Sequence, residues 1–147
     1  MRAIRKIALL IVTLLLFVQC RTTECSVVME DVDVNDWSEE TTLSYTNKQT
    51  ELNYDLSVVL HVNRRFTAQQ LELEITTMTP DSLRYSEQVT LPVSFSWESP
   101  TDITCDVELP YRQDVALRCK GEYKMVITPQ QNVEGVEAAG MNFQMKR

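Results

Sequence analysis

The chain has 147 residues, enough for one domain with a real core and too few for two. It carries 21 acidic against 14 basic residues and a single histidine, His61. That balance repels phosphate backbones, so no nucleic-acid partner is expected, and one histidine excludes any mechanism that needs two imidazoles.

The first residues have the form of a processing signal. Arg2, Arg5 and Lys6 make a basic head, and Ile7 to Val18 is apolar apart from Thr13. This run suits a secretory signal and is short for a membrane-spanning helix, which needs about 20 apolar residues. The stretch FVQCRTTEC follows, and three fates are open for Cys20. Cleavage after it, at Val18-Gln19-Cys20, releases a soluble chain starting at Arg21. Cleavage before it, as in a bacterial lipoprotein, leaves a cysteine that carries acyl chains such as palmitate. Retention of Cys20 allows pairing with Cys25. The lipoprotein reading is preferred because the cysteine falls where the apolar run ends, although Gln19 is larger than the residue such signals usually have. Residues 1–19 then form the signal peptide, 20–36 a lipidated tether and 37–147 the folded domain. Arg-Thr-Thr-Glu after Cys20 contains no acidic run of the kind that resembles a surface-export tag, so a periplasm-facing address is expected. Loss of the head leaves 11 basic residues against 21 acidic ones, a net charge near −10, which avoids anionic lipid unless something else holds the chain there.

Beyond Asp31 the dominant period is two. Val32 and Val34 suggest a first short strand, with Glu30 breaking the parity. The alternation is firmer at Leu56, Val58, Leu60 and Val62, then at Leu71, Leu73 and Ile75, then from Val89 through Leu91, Val93 and Phe95 to Trp97. It returns at Ile103, Cys105, Val107 and Leu109, at Tyr123, Met125 and Ile127, and at Met141, Phe143 and Met145. Such alternation marks strands with one face on a core and one in solvent. A helical reading exists only for Phe66 to Glu74, and the Leu-x-Leu-x-Ile continuation argues against it. Pro-containing breaks at Thr79, Glu98 and Thr128 supply turns, and Pro92 implies an edge strand or a bulge. The expected fold is a single antiparallel β-sandwich, jelly-roll or Ig-like.

A chain reversal at Tyr111 to Gln113 would face Leu109 with Val115, Val107 with Leu117 and Cys105 with Cys119. In that register Cys105 and Cys119 would be placed to form a disulfide, with two buried free thiols as the alternative. Asp31, Asp33 and Asn35 have the one-three-five spacing of a calcium loop. Asp36 stands where the glycine should be and Thr42 where the bidentate glutamate should be, so no metal is expected. His61 falls on the solvent parity of its strand. No nucleophile elbow, zinc motif or phosphate loop occurs, and neither a cofactor nor a small-molecule substrate is implied. Trp37 is open to a role in a carbohydrate platform, whereas Trp97 lies on a core parity.

The last third reads GEYKMVITPQQNVEGVEAAGMNFQ, with Gly121 and Tyr123 entering a strand and Gly135 and Gly140 bracketing a short apolar stretch. With Cys20, Trp37 and the Tyr54-x-Leu56 strand, this resembles the gliding-motility lipoprotein GldH family of Bacteroidota. The Trp-Gly-rich turn of that family has no counterpart between Leu83 and Asp114, and Gln130-Gln131 stands where a basic residue belongs. The resemblance implies a non-enzymatic, membrane-anchored component of a gliding-motility or related cell-envelope assembly, contacting other envelope proteins. The alternative is a secreted or tethered glycan-binding module using Trp37. A hydrolase is disfavoured for want of a visible nucleophile or metal set.

Overall fold

In the computed structural model, residues 25–146 are described; the leader and Cys20 lie outside them. Eight strands follow in order: β1 (Cys25–Asp31), β2 (Thr41–Asn47), β3 (Asn53–Asn63), β4 (Gln70–Met78), β5 (Arg84–Pro92), β6 (Thr104–Ala116), β7 (Gly121–Pro129) and β8 (Val136–Lys146). They form two antiparallel sheets, β1-β8-β3-β6 and β2-β7-β4-β5. Every connection except β4 to β5 passes from one sheet to the other, which is jelly-roll connectivity. The sandwich is therefore the jelly-roll form of the two expected.

The alternating residues supply the core. Val58 and Leu60 of β3 lie opposite Leu109 and Val107 of β6, and on the other side opposite Met141 and Ala139 of β8. All are buried, as are Leu71, Leu73 and Ile75 from the facing sheet. Each large aliphatic side chain buried in this way contributes about 1.5–3 kcal/mol.

Several expectations need correction. The folded domain includes Cys25–Asp31, upstream of Trp37, because β1 pairs along its whole length with β8. Val32 and Val34 lie in the loop after β1. Strand β2 escapes the pattern because polar Thr41 and Asn47 occupy inward positions beside Leu43. Both have buried partners. Thr41 Oγ1 accepts from Trp37 Nε1 at 3.1 Å. The Asn47 amide donates to the carbonyls of Leu117 and Cys119, each at 2.9 Å, and accepts from the Tyr54 hydroxyl at 3.0 Å. Strand β5 ends at Pro92, Val93 N–H donates one last bond to the Gln69 carbonyl at 2.8 Å, and Phe95 and Trp97 continue the alternation outside any strand. Pro92 does lie in an edge strand, as expected.

Strand β6 runs straight through the expected reversal at Tyr111 to Gln113, because both its flanks are already committed to β3. Cys105 is the second residue of this 13-residue strand and Cys119 lies beyond its far end. At about 3.3 Å per residue such a strand is roughly 40 Å long, against the 4.4–6.8 Å between Cα atoms that a disulfide needs. Cys105 and Cys119 are both free thiols, and the proposed bond is excluded.

The sandwich has two unlike ends. Asn53 faces both Lys146 and Ala116, and Cys25 faces Gln144, so the described chain enters and leaves at one end. The loops 48–52, 79–83 and 117–120 join strands there. They carry Lys48, Arg118 and Lys120 against Glu51 and Asp81. At the other end, the loops 32–40, 64–69, 93–103 and 130–135 carry Arg64 and Arg65 against Asp33, Asp36, Glu39, Glu40, Glu98, Asp102 and Glu134. The acidity of the chain is thus concentrated away from its entry point.

Candidate functional site: an apolar cleft at the chain-entry end

The edges of the two sheets, β5 and β6, do not close on each other along their whole length. On β5 the inward parity reads Leu83 (just before the strand), Tyr85, Glu87, Val89 and Leu91. Leu91 is buried, yet Leu83 is 49% and Tyr85 59% exposed. Apolar side chains aimed between two sheets and still open to water mark an unfilled part of the core.

Opposite them, β6 departs from a regular ladder. Leu56 faces Arg112 while Ser57 faces Pro110, which leaves Tyr111 as the extra residue of a bulge. A second irregularity follows between Tyr54 and Leu56, near Asp114, whose φ is +60° and whose N–H donates to Asp55 Oδ1 at 2.8 Å. Bulges at a sheet edge bend the strand and re-aim its side chains. Here they turn Tyr111 toward β5.

Between these edges lies a cleft of about 520 Å³, within the 300–1,000 Å³ range of small-molecule sites. Its walls include the buried side chains of Leu56, Leu117, Tyr123, Met125 and Phe143. Val115 and Thr77 line it half-buried, Leu83 and Tyr85 form the rim, and Asp81, Arg112 and Arg118 add charge. Glu87 latches one side. It accepts from the Tyr111 hydroxyl and from Arg112 Nε, the latter at 3.2 Å, with Arg112 Nη2 on its second oxygen. The Tyr111 hydrogen bond, then Arg112, hold the Glu87 carboxyl below its usual range. Burial, then the Glu87 contact, push the Tyr111 phenol far above its own. Asp81 is also held low, chiefly by the Thr79 hydroxyl 2.5 Å away. Among the described residues Arg118 has no ion-pair partner.

The residues singled out from sequence lie elsewhere. Trp37 is 1% exposed and bridges to Val133, so it offers no platform to a glycan. Trp97 is half-buried under the Arg64 guanidinium, 4.0 Å from the ring centroid. His61 is on the outer face, as its parity implies, with Nδ1 2.6 Å from Asp106 Oδ1 and Nε2 3.9 Å from Glu137 Oε2. In the Asp31–Asn35 stretch, Asp33 Oδ1 accepts from the Asn35 N–H at 2.9 Å and is turned into its own loop. No cluster of three metal-ligating side chains occurs among the described residues. Of the residues named for the family resemblance, Tyr54, Leu56 and Tyr123 are core, and Gly135 and Gly140 permit close backbone approach. The cleft itself was missed. Its signal was the odd parity of β5 continuing upstream from Val89 to Tyr85 and Leu83.

These features define an eight-stranded jelly-roll sandwich with an open apolar cleft at the end where the chain enters. Comparison of the chain with protein-family models, with curated proteins and with solved structures returned no match in any of the three.

Proposed function

We propose that the protein is a non-enzymatic, lipid-anchored component of the cell envelope, similar in kind to the GldH lipoproteins, which acts by contacting neighbouring envelope proteins. The observation that carries this reading is the basic and apolar leader ending at Cys20, only five positions before Cys25 of β1. Acyl chains on Cys20 contribute about 0.8 kcal/mol per buried methylene, so two or three chains hold even an acidic domain at a bilayer. The displacement of carboxylates to the far end supports the same arrangement, because it lowers the repulsion between the domain and an anionic surface.

The decisive measurement is the denatured mass of the membrane-extracted protein. A diacylglyceryl adduct on an N-terminal Cys20 is the expected result. An unmodified N-terminus at Arg21, or a Cys20→Ser form that fractionates with membranes as the wild type does, overturns the anchor.

A further inference from the structure

We propose that the cleft between β5 and β6 takes one long acyl chain of a bilayer lipid, with the lipid's anionic head beside Arg118; this rests on the reading that Cys20 is the anchor. Three observations converge on that occupant. Leu83 and Tyr85 occupy inward positions of the sandwich and remain about half exposed, so an apolar guest completes the core that the chain itself leaves open. The floor offers Leu56, Met125 and Phe143, all buried and none with a charge. A flexible methylene chain matches such a surface, which has few polar groups to orient a compact polar ligand.

The second observation is position. The cleft opens at the end where Cys25 enters the sheet, and five peptide steps from Cys20 reach at most roughly 18 Å. An anchor that short keeps the cleft mouth against the headgroup layer, where acyl chains are the abundant apolar ligand. The third is charge. Arg112 is engaged by Glu87, whereas Arg118 lines the same cleft exposed and without an ion-pair partner among the described residues. A phosphate head beside it gains a charge-assisted contact.

The test uses membrane-extracted wild-type protein in phosphatidylglycerol vesicles whose acyl chain carries a photoactivatable diazirine. Label is expected on peptides containing Leu83 and Tyr85 or Val115 to Cys119. Val115→Trp, which fills the cleft, lowers that label about tenfold. The rim double variant Leu83→Ser/Tyr85→Ser, which disturbs no buried residue, also lowers it and serves if the tryptophan variant fails to fold. Arg118→Glu lowers labelling from phosphatidylglycerol and leaves labelling from phosphatidylcholine bearing the same chain unchanged. Absence of label, label confined to the far-end loops, or cleft label unaffected by both cleft variants overturns the proposal. The anchor is read separately from the denatured mass. An adduct on Cys20 with no cleft label sinks the cleft alone, whereas cleft label on a chain without the adduct sinks the anchor and supports acyl binding.

Discussion

Gly135 has a φ of +85°, and a Cβ added there would lie 2.3 Å from the backbone nitrogen of Phe66. Both the left-handed conformation and the contact with main chain forbid a side chain. Gly135→Ala is therefore expected to lower stability by about 2 kcal/mol or more, read as a shift in the urea midpoint with an unchanged slope. Gly140 meets a similar barrier without an unusual φ, since a Cβ would come within 2.2 Å of the Val28 carbonyl oxygen. The glycines noted for their resemblance to a family thus report how β1 and the loop over Phe66 seat on the fold. Trp37 belongs to the same group. Its removal as Trp37→Ala is expected to cost about 3–5 kcal/mol in urea unfolding. Any binding lost in that variant measures the fold rather than a ligand contact.

At the scale of elements, the β5–β6 edge carries the most informative chemistry. Glu87 on β5 meets Tyr111 and Arg112 on β6, and the bulge at Tyr111 makes the meeting possible. The folded carboxyl is held below its ordinary 4.5. Its contribution is therefore complete above the unfolded-chain value and is lost as pH falls through the folded one. Urea midpoints measured from pH 7 downward should fall less steeply below about pH 5 in Glu87→Gln than in the wild type. An identical acid limb in both would show that the latch adds nothing. The unbroken course of β6 also fixes the state of the cysteines. Denatured protein titrated without reductant should expose Cys25, Cys105 and Cys119 as thiols, and adding reductant should raise the count by none. In the native state Cys105 should react slowly, because burial first and Asp106 second disfavour its thiolate.

For the whole molecule, the consequential property is polarity between its ends. An 11-residue strand such as β3 spans on the order of 35 Å, so the acidic loops stand about that far from the chain-entry end. An anchored domain then presents carboxylates outward to its neighbours and cations toward lipid. A fluorophore attached at Ser82 should be quenched by lipid-borne spin labels, and one attached at Glu39 should not. Equal quenching at both positions would mean that the domain lies on its side or tumbles freely on its tether. Since exposed charges are screened beyond about 8 Å in physiological salt, the far acidic loops add little repulsion at the membrane.

Period-two alternation at Leu56 to Val62, Leu71 to Ile75, Tyr123 to Ile127 and Met141 to Met145 was enough to specify an all-β sandwich. Each of those runs has one uniformly apolar face, and only a second sheet can bury it. The alternation could not reveal β2, because Thr41 and Asn47 are satisfied by Trp37, Tyr54 and the carbonyls of a loop 70 residues away. Nor could it decide whether β6 turned back at Tyr111 or continued. Apolar parity allows both, and the choice rests on β3 pairing with β6 along nearly its whole length. The proposed address rests on residues 2–20 alone, whose basic and apolar composition is of the kind a membrane signal needs. The cleft depends on where two strands fail to meet, a property of the folded edges and not of either sequence. Only the three-dimensional arrangement brought Tyr85 of β5, Val115 of β6 and the Leu117–Cys119 loop around one space.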